Sequence, residues 1–424
     1  AMLNVFKIRL ENDMLPCHQF AFTKDGCVLA FQLLRQHLTL NPSHIIAEGD
    51  ESAAFQRASR PEMKRQLMRN YPECIPYFHS AYGHAAKLHY RGNTIDPSKS
   101  ENGSQQGCAW GTFLYCIAKK RKLSHLVANH PNVLFVAISD DIFMAGPPSD
   151  IARAFEDWAE LTTQDHGRVN YSKCGFYSTD QNSLSNADIQ ALSTADPNRR
   201  VDIRPPSQGL VVVGHPLGSD DFCKQFYISK ANDTGLLVDK IMELTAYPTK
   251  SAMQAAMQLL KYCAEPLIAH LLRAAPPSLI HEAATLHDRH ILRGLNSILG
   301  AGDHLRLDLT SSWSNLCLEN GHQVPTDAEL DEIARLATAQ AHLPLRRGGL
   351  GLASAVETSL QSYLGGFEYF TKFLARPEAT TAIASGGFAL PMDAACFGEM
   401  LASSPSTFCN DARVAWDTLD NLLQ

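Results

Sequence analysis

Val133-Leu134-Phe135-Val136-Ala137-Ile138-Ser139-Asp140-Asp141-Ile142-Phe143-Met144 is an apolar run broken once, by two adjacent carboxylates. Its length and β-branched content suit a buried strand, and Ile142 to Met144 resume the pattern until Gly146-Pro147-Pro148 ends it. The reading is strand, acidic turn, strand. A second acidic position has the same setting: His44-Ile45-Ile46-Ala47 is a strand that runs through Gly49 into Asp50. Adjacent strands would gather Asp50, Asp140 and Asp141. Clustered carboxylates repel one another and are stable together mainly when a cation neutralises them. All-oxygen ligation suits Mg²⁺, which keeps several waters and shares its shell with substrate phosphates. Taken alone, Asp140-Asp141 is an ordinary turn, because Asp favours turns.

Around these strands the chain reads as an α/β half followed by a helical half. The first half has helical faces at Cys27, Phe31 and Leu34, at Met63 and Leu67, and at Ile75, Phe78 and Tyr82. A short hairpin is expected at Leu88 to Tyr90 and around Ile95. After the acidic hairpin, Ser149 is the expected cap of a helix with Ile151, Phe155 and Trp158 on one face. From about residue 235 the periodicity is helical, with Leu237, Ile241 and Leu244 on one face and Leu292, Leu295 and Leu299 on another. At 424 residues the chain is long enough for more than one core.

Composition narrows the class. Hydrophobic residues make up 45% and charged ones 19%, which fits a globular protein. No apolar run is long enough to span a bilayer, and the N-terminal residues lack a secretory pattern, so a nuclear or cytoplasmic, non-secreted protein is expected. The 11 cysteines are scattered without a CxxC pair, which argues against a zinc ribbon or a disulfide framework. The net charge of -7 counts against wholesale phosphate binding and shifts that burden to local basic clusters such as Lys119-Lys120-Arg121-Lys122.

Five stretches, taken in order, resemble the palm motifs of reverse transcriptases, most nearly those of non-LTR retrotransposons. Asp50-Glu51-Ser52-Ala53-Ala54-Phe55-Gln56, with Arg60 beyond, resembles the first. Gln105-Gln106-Gly107-Cys108-Ala109-Trp110-Gly111 resembles the second, and Ala137 to Ile142 the third, the aspartate-pair hairpin. Gly167 to Cys174, with Asn170 and Lys173, is similar to the fourth. Val213-Gly214-His215-Pro216-Leu217-Gly218 is similar to the primer grip, and Gln19-Phe20-Ala21 with Gly26 to an upstream finger element. The resemblance covers roughly residues 15 to 225 by this motif reading.

The resemblance implies an α+β fold: a right-hand polymerase palm with partial fingers, followed by a helical thumb and a helical C-terminal extension. The expected divisions are partial fingers over 1–47, palm with inserted finger helices over 48–230, thumb over 231–324 and extension over 325–424. It implies an RNA-directed DNA polymerase that extends a primer 3′-hydroxyl with deoxynucleotides through two Mg²⁺ ions, Mn²⁺ substituting. Its partners are an RNA or DNA template-primer and deoxynucleoside triphosphates, with no membrane. The resemblance makes Asp50, Asp140 and Asp141 the expected metal-binding aspartates, Asp50 and Asp140 directly and Asp141 in support, with the backbone carbonyl of Glu51 as an added ligand. By the same resemblance Phe55 would be the steric gate against a ribose 2′-hydroxyl, Gln106, Gly107 and Arg60 would contact nucleotide or template, and Lys173 would protonate the departing pyrophosphate.

Some positions depart from the pattern. Ile138 stands where the family has an aromatic residue, Ala109-Trp110 replaces Pro-Leu, and Gln56 replaces Asn. The basic finger segment that grips the triphosphate has no counterpart after residue 1. It either precedes the chain, is replaced by another basic residue, or is gone from a domesticated remnant. The alternative reading is therefore a catalytically inactive reverse-transcriptase fold that binds nucleic acid or a protein partner. Cys108 is the cysteine expected to face substrate. His287 and His290, three apart on a helix, are either a metal pair or a solvated face.

Overall fold

In the computed structural model the chain is a mixed α+β protein, described for residues 2–105, 107–181, 184–192, 201–246, 250–299, 326–347, 349–374 and 376. The described residues divide into two compact units, 2–219 with 369–374 and 376, and 220–368.

The first unit opens with α1 (Met2–Met14) and α2 (Gly26–Leu40), then β1 (Ile45–Gly49), α3 (Ala54–Arg57), α4 (Arg60–Asn70) and α5 (Ile75–Tyr82). A hairpin, β2 (Ala86–Tyr90) and β3 (Asn93–Ser100), leads to the long α6 (Gly111–Asn129). The acidic hairpin, β4 (Leu134–Ile138) and β5 (Asp141–Gly146), follows, then α7 (Pro148–Gln164), β6 (Gly175–Ser178), α8 (Asn186–Leu192) and β7 (Ile203–Arg204). A last hairpin is β8 (Leu210–Val212) and β9 (His215–Leu217). The main sheet has the order β4-β5-β1-β6-β7. β1 pairs antiparallel with β5 and with β6, so the strand carrying Asp50 is central.

Both faces of this sheet are apolar. On one, Ala47, Phe135, Ile142 and Met144 share a core with Phe113 and Ile117 of α6 and Trp158 of α7. On the other, Ile46, Val136, Phe143 and Ala145 are buried, with α2 lying against β4 and β5. Gly49 is fixed by this packing: a Cβ there would lie 2.8 Å from Trp158 Cη2 and 2.9 Å from Ile142 Cγ2. Gly49→Ala is expected to cost about 1–3 kcal/mol through overpacking, read as a lower urea midpoint with an unchanged slope.

The structure corrects three details. Ser149 lies inside α7 rather than capping it. The Pro147 carbonyl accepts from Asp150 and Ile151, and Pro148, which needs no N–H partner, takes the first helical turn. Phe31 and Leu34 are buried on α2, but Cys27 is exposed near the helix start. The helical half begins at Asp220 rather than near residue 235.

The second unit is built on α9 (Asp220–Met242), α10 (Lys250–Leu259), α11 (Ala269–Leu272), α12 (Pro277–Leu299), α13 (Asp327–His342) and α14 (Ala355–Leu374), the last of which contributes its end to the first unit's residues. α9 and α12 pack along each other. His287 is fully buried between them and its Nδ1 lies 3.0 Å from Thr234 Oγ1, while the His290 ring fills the space beside Gly235. His287 is thus a packing residue of the interhelical seam rather than part of a solvated face, and the half-buried His290 packs beside it. Leu295 is buried but Leu299 is 56% exposed, so that face ends a turn early. Asp288 caps α14, accepting from Ser354 Oγ at 2.7 Å and from the Ala355 N–H at 2.8 Å.

Candidate active site

The ladder between β1 and β5 ends at the pair Gly49 and Ile142. One further step sets Asp50 across from Asp141, which itself pairs with Ile138 at the hairpin end. Asp140 is the second of the two turn residues. The three aspartates are therefore brought to one end of one sheet, with Asp141 rather than Asp140 on the rung facing Asp50. Desolvation against the sheet end pushes the Asp141 carboxyl above its ordinary value, and the charges of Asp140 and Asp50 push it further.

The acidic turn is held in a strained shape. Ser139 has φ +57°, a left-handed conformation rare for a residue with a side chain. Buried Gln19 compensates: its Oε1 accepts from the Ser139 N–H at 2.8 Å and its Nε2 donates to the Ser139 carbonyl at 3.1 Å. Gln19 also bridges to Ala137, so the upstream element is an extra rail for the hairpin. Gln19→Leu leaves both Ser139 backbone groups unpartnered and is expected to destabilise by about 1–3 kcal/mol, measured by urea titration.

Asp50 is fixed from the other side. Its carbonyl accepts from the Asn170 N–H at 2.9 Å and its N–H donates to Cys174 Sγ at 3.4 Å. Lys173 lies within this same loop, exposed to solvent. Residues 168 to 170 continue the pairing as a bridge between Glu51 and Val169. The bonds of that bridge use the carbonyls of Asp50 and Arg168 and not that of Glu51. The Glu51 side chain turns away into the protein, where Lys119 Nζ lies 2.6 Å from its Oε2 and Lys122 donates to its Oε1. Burial alone would raise the Glu51 carboxyl, but Lys122 and Lys119 outweigh it and hold the group at about 2.

The basic run is thereby largely accounted for. Lys119 and Lys122 are buried on Glu51, Lys120 pairs with Asp13, and Arg121 has 70% of its side chain exposed, 3.7 Å from Asp165. It is not a solvent-facing phosphate patch. Arg60 is similarly engaged: it is buried, with Nε donating to the Gly103 carbonyl at 2.9 Å and Nη1 to the Ser100 carbonyl at 2.8 Å. Its guanidinium sits over the Tyr82 ring, 5.1 Å from the centroid. Arg60 fastens the loop ahead of the Gln-Gly segment.

That loop is docked on the helix bearing Phe55, with the Phe55 carbonyl accepting from the Ser104 N–H at 2.9 Å. Phe55 is half-buried and stacks on buried Tyr115, with centroids 4.5 Å apart and planes at 18°. Burial raises the Tyr115 hydroxyl well above its ordinary value, and the charges of Glu51, Asp140 and Asp141 add to the rise. Gly107 has φ +83° and open space where a Cβ would project. Its absent side chain therefore answers to backbone conformation and leaves its surface open to approach. Gln106 lies outside the described residues. Cys108 is half-buried, its Sγ 3.3 Å from Tyr77 Oη; against the push of burial, that hydroxyl and the Tyr82 hydroxyl hold the thiol below its ordinary value.

Three contributions escape motif reading. Tyr115 is one, although it shares a helical stripe with Lys119 and Lys122. Glu48 is another: two residues before Asp50, it sits on the same face of β1, with Arg204 Nη1 3.0 Å from its Oε2. Burial raises its carboxyl, Arg204 opposes this, and Asp141 and Asp50 add to the rise. The third is the clamp of Gln19.

Among the described residues no group of three or more His, Cys, Asp or Glu side chains is placed so that it could hold a metal ion by itself. The side-chain donors at the sheet end are carboxylates. That set fits a hard divalent ion that takes one or two protein carboxylates and completes its shell from water and substrate phosphates.

No helix among the described residues is long and apolar enough to cross a membrane. No family model matches the chain, and no curated protein matches it. Among solved structures, apo telomerase from Candida tropicalis aligns at 11% identity and a TM-score of 0.39, over 91% of this chain and 60% of that one. Candida tropicalis telomerase in complex with a fragment of telomeric RNA aligns at 12% and 0.39, over 90% and 55%. The corresponding complex from Candida albicans gives 12% and 0.39, over 91% and 58%. The chain thus spans between 55% and 60% of the length of these structures. A likeness at this level fixes neither family nor function.

Proposed function

We propose that the chain catalyses reverse-transcriptase-like, template-directed nucleotidyl transfer, extending a primer 3′-hydroxyl with deoxynucleotides. The observation that carries this reading is the gathering of Asp50, Asp140 and Asp141 at one sheet end, where partial desolvation and the charges of Asp140 and Asp50 raise the carboxyl of Asp141. Such repulsion is relieved by a divalent cation, Mg²⁺ or Mn²⁺. Bound there, a pair of such ions would supply Lewis-acid activation of the attacking hydroxyl and of the leaving phosphate oxygens. Asp50 and Asp140 would hold the ions, with Asp141 supporting them and the Glu51 carbonyl as a further donor. The open surface at Gly107 admits close backbone approach to substrate. Lys173, exposed in the loop bonded to Asp50, is the acid that protonates the departing pyrophosphate.

Phe55 gives the reading its most specific expectation. Its ring is held flat on Tyr115, so it cannot swing aside cheaply for a 2′-hydroxyl. Phe55→Val is expected to raise ribonucleotide incorporation relative to the matching deoxynucleotide, even as total activity falls. The lost ring costs about 1–4 kcal/mol of stability. Steady-state incorporation of the two nucleotides by both proteins gives the ratio, and an unchanged ratio would make Phe55 an ordinary core residue.

The reading as a whole is tested by primer extension in Mg²⁺ on RNA and DNA templates, each with the complementary or a non-complementary nucleotide. Template-dependent extension supports it. A second reading is a non-catalytic relative that binds nucleic acid or a protein partner; the engagement of Lys119, Lys120 and Lys122 in internal ion pairs withdraws these cations from phosphate contact and favours its protein-binding form. Folded protein that captures primer-template without extending it would select that reading.

A further inference from the structure

Lys119 and Lys122 bring two cations to one carboxylate in the interior. The side chains of Lys119, Lys122 and Glu51 are 8%, 3% and 5% exposed. Burying such a group is expensive, and well-packed apolar side chains commonly do as well for stability alone. The arrangement does, however, fix position. Glu51 directly follows Asp50. Its carboxylate is gripped from α6 at both oxygens, while Ser52 and Asp50 on either side are bonded to Arg168 and Asn170 at 2.8 and 2.9 Å.

The grip extends to a second helix. Lys122 Nζ donates to Thr162 Oγ1 at 2.8 Å, and that hydroxyl donates to the Trp158 carbonyl at 2.7 Å. Trp158 is the residue that packs on Gly49, immediately before Asp50. Gly167 has no room for a side chain: a Cβ would lie 2.8 Å from Thr162 Cγ2 and 3.3 Å from Glu51 Oε2.

We infer that Lys119 and Lys122 are positioning residues, which act through the Glu51 carboxylate to fix the backbone that presents Asp50 to a divalent cation. This rests on the reading proposed above. The sign of one effect separates positioning from simple electrostatics. Removing a lysine charge near a cation site should tighten cation binding by Coulomb's law. Loss of positioning should weaken it.

The test is Mn²⁺ binding followed by electron paramagnetic resonance, with no other ligand, at a temperature where circular dichroism shows each variant folded. Wild type and Asp50→Asn set the range. Lys119→Met and Lys122→Met are each expected to weaken Mn²⁺ binding by about tenfold, as loss of an outer partner of a metal ligand does. Gly167→Ala, which presses on Thr162 and Glu51 without altering charge, should act in the same direction and stands in should a lysine variant fail to fold. Folded variants that bind Mn²⁺ as tightly as wild type, or more tightly, would overturn the inference. Wild type and Asp50→Asn behaving alike would instead overturn the proposed site itself, and the inference with it, before any lysine variant is compared.

Discussion

Asp140→Asn is expected to reduce primer extension by about 10³-fold while leaving the fold intact. The loss corresponds to about 4 kcal/mol of transition-state stabilisation, within what a metal-held carboxylate can supply. Stability moves the other way. Asp140 is one of the two charges that raise the Asp141 carboxyl, so removing it relieves repulsion at the sheet end. The apo protein should hold its melting temperature or gain slightly. Single-turnover extension and a thermal melt on the same preparation check both halves. Unchanged extension would show that Asp140 is not a ligand, and a falling melting temperature would show that its carboxylate is a structural acceptor.

Glu51→Gln is expected to give the largest loss of stability, about 3–5 kcal/mol, because it leaves two buried lysines without their counter-charge. The same pairing predicts a pH dependence. Burial opposes ionisation of Glu51, but Lys122 and Lys119 hold it at about 2 against an ordinary value of 4.5. A carboxyl depressed on folding contributes stability that is fully present above its unfolded value and is lost as pH falls through its folded one. Wild type should therefore lose stability between about pH 4.5 and 2 more steeply than Glu51→Gln. Urea midpoints at stepped pH give the comparison, and parallel acid limbs would show that the carboxylate is not held by the lysines.

Three of the five strands of the main sheet, β1, β4 and β5, were legible because they announce themselves chemically, whereas the short β6 and β7 carry no such pattern. Ile45 to Ala47 and Leu134 to Ile138 are apolar on both faces, and each is followed within three residues by an aspartate. That alone sets which ends meet once the strands pair. The β2–β3 hairpin and the buried stripes at Met63 and Leu67 or Phe78 and Tyr82 follow from equally local patterns. What stayed hidden depends on partners distant in sequence. Four consecutive basic residues look like a solvated face until Glu51 and Asp13 are found beneath three of them. Arg60 looks like a free guanidinium until its N–H groups are found donating to the Ser100 and Gly103 carbonyls. His287 looks solvated until Thr234 of another helix meets it. Tyr115 and Glu48 carry no motif of their own. Their roles come from period: one turn along α6 from Lys119, and one pleat along β1 from Asp50.

Locating the cation gives the most direct test. Crystals of the protein with a primer-template and a non-hydrolysable deoxynucleotide, grown in Mn²⁺, can be measured at the manganese absorption edge. Anomalous density is expected about 2 Å from carboxylate oxygens of Asp50 and Asp140, bridging to the nucleotide phosphates. An ordered nucleotide elsewhere on the protein, with no manganese at the end of β1, would contradict it.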